Sequence, residues 1–284
     1  MRHPISRTIA ATVMGFVLLA AVSAAAVPAV RHIASGLWNN PEGLAALPEA
    51  PQVHYQDGAS ERARAVAMLL PGAVARVEAI HGRRFAYPVT VGVYASPEAF
   101  AAANGTGFAG AVGVTFFGRV MLSPVLFSTQ RQRMPAILTH ELSHAHIRSW
   151  ISELTYIRLP HWFKEGLAVM VSEGGGAEGA SALQARDAIR RGDHIAIEGA
   201  GSLLNLIDVK FERPPEIPDT SFRVQMAYRQ AGLFVTFLHE TNSAGFARMM
   251  NAILDGHPLA EAVPTGYETD LHELWLRFAQ ANEK

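Results

Sequence analysis

Cysteine is missing from this chain, and charged residues are scarce. The absence of cysteine excludes disulfides, thiol nucleophiles and cysteine-ligated zinc, so histidine and carboxylate side chains are the remaining metal ligands. Charged residues make up 17% of the sequence, the net charge is −1, and 21 of the 24 basic residues are arginine. There is no basic run and no Lys/Arg stripe with interleaved aromatic residues. Nucleic acid is therefore not an expected partner.

Charge is absent altogether over residues 8–30, which follow Arg2 and Arg7. A basic start followed by an apolar stretch predicts export. Residues 1–30 are then either a signal peptide, cleaved after the small residues Ala24 and Ala26, or an uncleaved N-terminal anchor, because such a run can also span a bilayer. Both interpretations place the rest of the chain outside the cytoplasm, either periplasmic or secreted, or anchored to the inner membrane.

The remaining sequence predicts one α+β domain at residues 55–284, preceded by a linker at residues 31–54 that contains three prolines. Apolar periodicity and β-branched alternation predict a helix, a few strands, and then helices to the end of the chain. Two of the strands are short and flank Gly118. Strands first and helices afterwards favour a small mixed sheet in an N-terminal lobe and a mostly helical C-terminal lobe.

Two histidines stand four residues apart in the stretch ILTHELSHAHI, residues 137–147. On a helix, positions i and i+4 share one face about 5–6 Å apart, so His140 and His144 can reach one metal ion. Glu141 lies beside that face and suits a base that takes a proton from an attacking water. The alternative is an ordinary amphipathic helix with two surface histidines.

A catalytic zinc site usually has three protein ligands, so the two histidines need a partner. The third histidine of the metzincin pattern is absent, because Trp150 occupies its position. Glu165, in WFKEGLA on the next predicted helix, is the best-placed acid, since Trp162 and Phe163 can anchor that helix in the core. Its alternative is a surface carboxylate paired to a neighbour. Other acids lie between the helices or beside a glycine-rich loop and are expected to be poorly held: Glu153, Glu173 and Glu178.

The HELSH motif followed by WFKEGLA resembles the gluzincin metallopeptidases, and most closely their small peptidase MA-like bacterial members. The likeness spans roughly residues 55–282. It implies a zinc site in the cleft between the two lobes, with His140, His144 and Glu165 as ligands and Glu141 as general base. The helix that carries the histidines would belong to the N-terminal lobe. The reaction implied is hydrolysis of peptide bonds in a peptide or protein substrate.

The sequence departs from this family in two places. Aminopeptidase members carry a glutamate that holds the substrate's free amine, whereas the corresponding stretch AGAVGV, residues 109–114, has no acid. An amine-trimming exopeptidase is therefore disfavoured. Thermolysin-like members often have an aspartate four residues after the third ligand, where this chain has Val169, so the groups that orient the histidines stay unassigned.

The resemblance also implies an oxyanion-stabilising tyrosine downstream of the third ligand. Tyr228 is the candidate, and its alternative is a core aromatic residue. Residues 113–122 are expected to supply a sheet edge for an extended peptide. His146 and His161 are expected to be solvated or to support the ligands rather than to bind metal, and His81 is expected at the surface. The stretch EGGGAEG is either a mobile lid or a plain loop.

Together these features predict an exported, zinc-dependent endopeptidase. The alternative from another class is an envelope protein of the same fold that grips peptides or proteins without cutting them. Retention of Glu141 favours the enzyme, because a binding protein has no use for a base at that position. A latent form, in which residues 31–54 cover the cleft, also stays open.

Overall fold

The computed structural model describes residues 27–197 and 220–282. It confirms the α+β class, with a small mixed sheet in the first half and helices through the second. The elements of the first half are α1 (Pro28–Trp38), β1 (Ala45–Leu47), β2 (Ala50–Tyr55), α2 (Ser60–His81), β3 (Val91–Val93), α3 (Pro97–Ala103), β4 (Gly113–Phe116), β5 (Arg119–Leu122) and α4 (Val125–Ser128), with a 3₁₀ turn at Pro41–Gly43.

Within the described residues, the second half is helical and irregular, without strands. A 3₁₀ turn at Arg131–Arg133 leads directly into its first helix. Its helices are α5 (Met134–Trp150), α6 (Glu153–Arg158), α7 (His161–Val171), α8 (Ala182–Arg190), α9 (Thr220–Thr241), α10 (Ser243–Leu254), α11 (Leu259–Tyr267) and α12 (Leu271–Ala281).

The sheet has five strands in the order β1-β2-β3-β5-β4. The central pairs β2–β3 and β3–β5 are parallel, whereas β1 and β4 pair antiparallel at the two edges. Phe117 and Gly118 connect β4 to β5, with φ values of 48° and 76°. Gly118 adopts this left-handed conformation without the steric penalty of a side chain, which is why the two predicted strands flank it. The arrangement leaves β4 as an edge strand.

The interpretation of residues 31–54 as a linker is wrong. This segment contains most of α1 and the paired strands β1 and β2, and β2 joins the sheet through β3. Val53 and Leu47 are buried in the core. Pro41 opens the 3₁₀ turn, and Asn40 caps it by accepting from the Glu42 amide. The prolines of this segment therefore accompany short structured elements rather than an extended connection.

The predicted export segment at residues 1–30 lies almost wholly outside the described residues, which include only 27–30 of it. None of the helices in the described ranges has both the length and the apolar character needed to cross a membrane. The two alternatives for this segment, a cleaved signal peptide and an uncleaved anchor, stay predictions.

Helix α7 packs against both α5 and α9, and the three helices frame the site. Gly166 on α7 faces the Ala231 carbonyl on α9, where an added Cβ would lie 2.6 Å from the oxygen. Trp162 and Phe163, on the same helix, are fully buried. Because glycine has no side chain, the backbones of α7 and α9 touch at Gly166. This contact holds the preceding residue, Glu165, in the interior.

His81 is buried, so the expectation of a surface histidine is wrong. His146 Nε2 lies 2.9 Å from the Arg83 carbonyl, which can only accept, so this nitrogen carries the proton. The bare Nδ1 of the neutral His146 ring accepts from His81 Nδ1 at 2.8 Å. His81 Nε2 in turn accepts from the Ser143 hydroxyl at 3.1 Å. The two neutral imidazoles thus form a continuous hydrogen-bonded chain between α2 and α5, and every ring nitrogen in this chain has a partner.

Stability should fall in acid because of His81. Burial lowers the pKa of His81 well below its ordinary value. In mild acid, His81 therefore binds a proton in the unfolded chain but stays neutral in the folded chain. The stabilisation is present above pH 6.5, the ordinary pKa of a histidine, and is lost progressively as the pH falls below it. Urea unfolding of the metal-free protein at pH 7.5 and 5.5 measures this loss.

His81→Gln should have a smaller pH dependence than the parent chain, because the glutamine does not titrate. The comparison is made with chelator present, so that metal release does not contribute. An equal pH dependence in both proteins would contradict the assignment to His81.

Candidate metal centre

His140 and His144 on α5 and Glu165 on α7 each bring a ligand atom to a common point. The Nε2 atoms of the two histidines are 3.2 Å apart. Glu165 Oε2 lies 3.4 Å from His140 Nε2, and Oε1 lies 3.7 Å from His144 Nε2. All three side chains are buried. The three residues predicted as ligands therefore form one group that can hold a metal ion.

The separations suit a tetrahedral site. With metal–ligand bonds of about 2.0–2.1 Å, tetrahedral geometry places neighbouring ligand atoms about 3.4 Å apart. Two imidazole nitrogens and one carboxylate leave a fourth position for water or substrate. Among residues 27–197 and 220–282, no other group of three histidine, aspartate or glutamate residues converges in this way.

Two oxygen atoms orient the histidine rings, and the sequence indicated neither. His140 Nδ1 lies 2.8 Å from the Gly175 carbonyl, which can only accept, so Nδ1 carries the proton and Nε2 presents its lone pair to the cluster. His144 Nδ1 lies 3.0 Å from the Tyr156 hydroxyl, which can accept from it in the same way. Both rings are thereby held with Nε2 toward Glu165.

The glycine-rich loop after α7 packs directly on a metal-ligand candidate. Gly174 and Gly176 have φ values of 107° and 83°, a region that glycine adopts at little cost. A Cβ at Gly176 would lie 2.9 Å from His140 Cε1. The glycines therefore let the backbone come close enough for the Gly175 carbonyl to bind the imidazole, a role beyond a plain loop.

The charges of the cluster depend on one another. Burial acts to raise the pKa of Glu165, but His144, His140 and His161 outweigh it and hold that pKa well below its usual range. Burial likewise acts to lower the pKa of His140, but the Glu165 and Glu141 carboxylates outweigh it and raise that pKa. Glu165 is therefore ionised at neutral pH, as a metal ligand must be.

Glu141 lies on the same helix beside the cluster, with its carboxylate held by the edge strand. Thr115 on β4 has its hydroxyl 2.8 Å from Glu141 Oε2 and 2.8 Å from the Glu141 carbonyl. A Cβ at Gly113 would lie 2.9 Å from Glu141 Cγ, so only glycine lets β4 approach this closely. The strand that the sequence indicated as a sheet edge thus also positions the candidate base.

Tyr228 and His161 lie on the other side of Glu165. His161 Nε2 is 3.6 Å from Glu165 Oε1 and 3.2 Å from the Tyr228 hydroxyl. Burial and the nearby Glu165 and Glu141 carboxylates raise the pKa of Tyr228 well above its ordinary value, so its hydroxyl stays protonated. Tyr228 is partly buried in the cleft wall, where it can donate a hydrogen bond.

Two cations surround the ring of Tyr156. The Arg148 guanidinium lies 3.8 Å and Lys164 Nζ lies 4.6 Å from the ring centroid, and Lys164 also donates to the Tyr156 carbonyl at 3.2 Å. Burial lowers the pKa of Lys164 to about 8. These contacts hold the Tyr156 ring from two directions, with its hydroxyl against His144.

The other acids considered from the sequence do not reach the cluster. Each instead forms an ion pair with an arginine: Glu153 with Arg148, Glu173 with Arg76 and Glu178 with Arg133.

A cleft of about 900 Å³ opens onto the cluster. One wall is formed by residues of the segment 106–115, which includes most of β4. The opposite wall includes His161 and Lys164 on α7 and Tyr228 on α9. The group therefore lies in a cleft between β4 on one side and helices α7 and α9 on the other.

No protein-family model, curated protein or solved structure matched this chain. The resemblance to the gluzincins accordingly rests on the two sequence motifs and stays a prediction.

Glu165→Ala should lose the metal after dialysis, because two imidazoles alone leave the ion under-coordinated. The measurement is metal content by mass spectrometry after loading with zinc. Glu153→Ala and Glu173→Ala are matched controls that should retain the metal, since both carboxylates pair with arginines outside the cluster. Stoichiometric zinc in Glu165→Ala would disprove its assignment as a ligand.

Proposed function

We propose that this protein is an exported zinc-dependent peptidase and, more narrowly, an endopeptidase. The proposal depends chiefly on the convergence of His140, His144 and Glu165 in an open cleft, with Glu141 beside them. The resemblance of HELSH and WFKEGLA to the gluzincin motifs supports it. The proposed location outside the cytoplasm rests on the uncharged run at residues 8–30.

Zinc is the metal that the donor set favours. Two histidines and a glutamate with one open position are a common ligand set of catalytic zinc. Imidazole also suits copper, iron and nickel, so geometry alone leaves these in competition. Metal analysis of the protein purified without added metal distinguishes them.

When bound, zinc would polarise the scissile carbonyl and make a water acidic enough to attack at neutral pH. Glu141 is placed to take the proton from that water and to return it to the leaving amine. The Thr115 hydroxyl holds one carboxylate oxygen of Glu141, which leaves the other oxygen for proton transfer. The chain therefore supplies a base in a fixed orientation.

The cleft suits an internal stretch of peptide better than a free amino terminus. β4 is an edge strand of the sheet, and an extended peptide can add to its free edge as a further strand. The cleft-lining residues of the segment 106–115 include no carboxylate that would bind an amino group. Both features support an endopeptidase.

Glu141→Gln should retain zinc but lower turnover by about 10²–10⁴-fold, because the base is lost while the ligands remain. Turnover of casein and of a peptide library, with and without chelator, measures the effect. Glu173→Gln is the control, since Glu173 lies outside the cleft.

Near-normal turnover by Glu141→Gln would overturn the assigned mechanism. A parent protein that binds zinc and peptides but cleaves none would instead support the non-catalytic peptide-binding alternative.

Tyr228→Phe should lower kcat with little change in KM or zinc content, because the hydrogen bond to the developing oxyanion is removed while the three metal ligands remain. The contact of the hydroxyl with His161 Nε2 is removed as well. Tyr267→Phe is a matched control, since Tyr267 donates to the Leu238 carbonyl in the helical half and does not line the cleft. Equal kinetics in both variants would make Tyr228 a packing residue.

A further inference from the structure

Helix α1 turns its apolar side to the outside. Val30, Ile33, Leu37 and Trp38 are 40%, 43%, 46% and 88% exposed. The spacing of these positions places them on one face of the helix. Globular proteins usually bury such a face, and an exposed apolar stripe marks a surface that another partner covers. We call these four residues the α1 stripe.

The opposite side of α1 holds the helix in this orientation. Gly36 packs so closely on α3 and the turn after it that a Cβ would lie 2.8 Å from Gly105 Cα. Ser35 donates its hydroxyl to the Ala102 carbonyl at 2.8 Å. The His32 ring fills the space beside Gly107. Small and polar residues thus form the inward face, and rotating the helix would break all three contacts.

The preceding sequence indicates what covers the stripe. Residues 8–30 are uncharged and end at Val30, the first residue of the stripe, so an apolar run long enough to enter a bilayer leads into the stripe. Trp38 stands at the end of α1, and the exposed Arg31 flanks the stripe. Tryptophan at the boundary and arginine beside an apolar face are typical of helices that lie in the interface of a membrane.

We propose that the α1 stripe lies on the surface of a phospholipid bilayer. The proposal holds whether residues 1–26 are cleaved or retained, because the stripe belongs to the described domain in both cases. It does not depend on the proposed peptidase activity.

The position of the stripe has a consequence for substrates, and this consequence does rest on the proposed function. Gly107 contacts His32 of α1, and its neighbour Phe108 is 63% exposed and lines the cleft. A bilayer against the stripe would therefore be separated from this part of the cleft rim by little more than the width of α1, about 10–12 Å. The substrates expected on this basis are protein segments close to the membrane surface.

The test compares the depth of two neighbouring positions in the full chain. The sequence has no cysteine, so Leu37→Cys and Asn39→Cys each give one site for a fluorescent label. Both residues are exposed at the end of α1, but Asn39 lies on the other side of the helix and binds the Ser35 carbonyl. The labelled proteins are mixed with vesicles of phosphatidylethanolamine and phosphatidylglycerol that carry a nitroxide on the acyl chain.

The label at Leu37 should be quenched by the lipid nitroxide, and the label at Asn39 should be quenched much less. An anchor alone, without contact by the stripe, would bring both positions equally close to the membrane and would overturn the proposal. Shielding of the Leu37 label from aqueous iodide without lipid quenching would also overturn it, because another protein surface would then cover the stripe.

A second variant tests the stripe itself. Val30→Glu with Ile33→Glu should abolish lipid quenching at Leu37, because a charged face is expelled from the interface. Leu183→Glu, at an exposed position on α8, should leave the quenching unchanged. Circular dichroism verifies that each variant is folded. Persistent quenching in the double variant would contradict the proposal.

Discussion

A buried carboxylate is the constraint around which this molecule is organised. The Glu165 side chain is 11% exposed, and an ionised group removed from water to this extent costs several kcal/mol unless opposite charge or hydrogen bonds compensate it. Two imidazoles and a third histidine surround it within 3.7 Å. A divalent cation at the same point would supply the compensation more completely, so metal binding and the stability of this core are expected to be coupled.

Placing this carboxylate requires that two helix backbones touch. Gly166 allows the contact with Ala231, and the aromatic residues of α7 hold the helix from behind. The glycine-rich loop constrains the position of His140. Its Gly175 carbonyl accepts a hydrogen bond from Nδ1 of His140, on the side of the ring that faces away from Glu165. The geometry of the cluster is therefore set by close backbone approaches at glycines, more than by the ligand side chains themselves.

The parts of the site that could be predicted are those encoded by local periodicity. His140 and His144 share a face because they are one helical turn apart, and Glu165 could be selected because its helix carries anchoring aromatics. Tyr156 and Thr115 could not be predicted, since a short helix and an edge strand bring them to the histidine and to Glu141 through tertiary packing alone. The same holds for His81, whose partner His146 is 65 residues away. The linker prediction for residues 31–54 is wrong because proline content indicates irregular backbone and does not reveal that a short strand can pair with a distant one.

On the proposed function, the contact between β4 and Glu141 would link the binding of a peptide substrate to its hydrolysis. Thr115 belongs to the strand whose free edge is available to an extended peptide, and its hydroxyl holds the carboxylate of Glu141. If the protein is the proposed endopeptidase, a peptide that paired along β4 would stiffen the strand and with it the orientation of Glu141. Peptides that pair poorly would then be bound with a less ordered base and cleaved slowly. In such an arrangement, discrimination among substrates is expressed in the rate of the bound complex more than in its affinity.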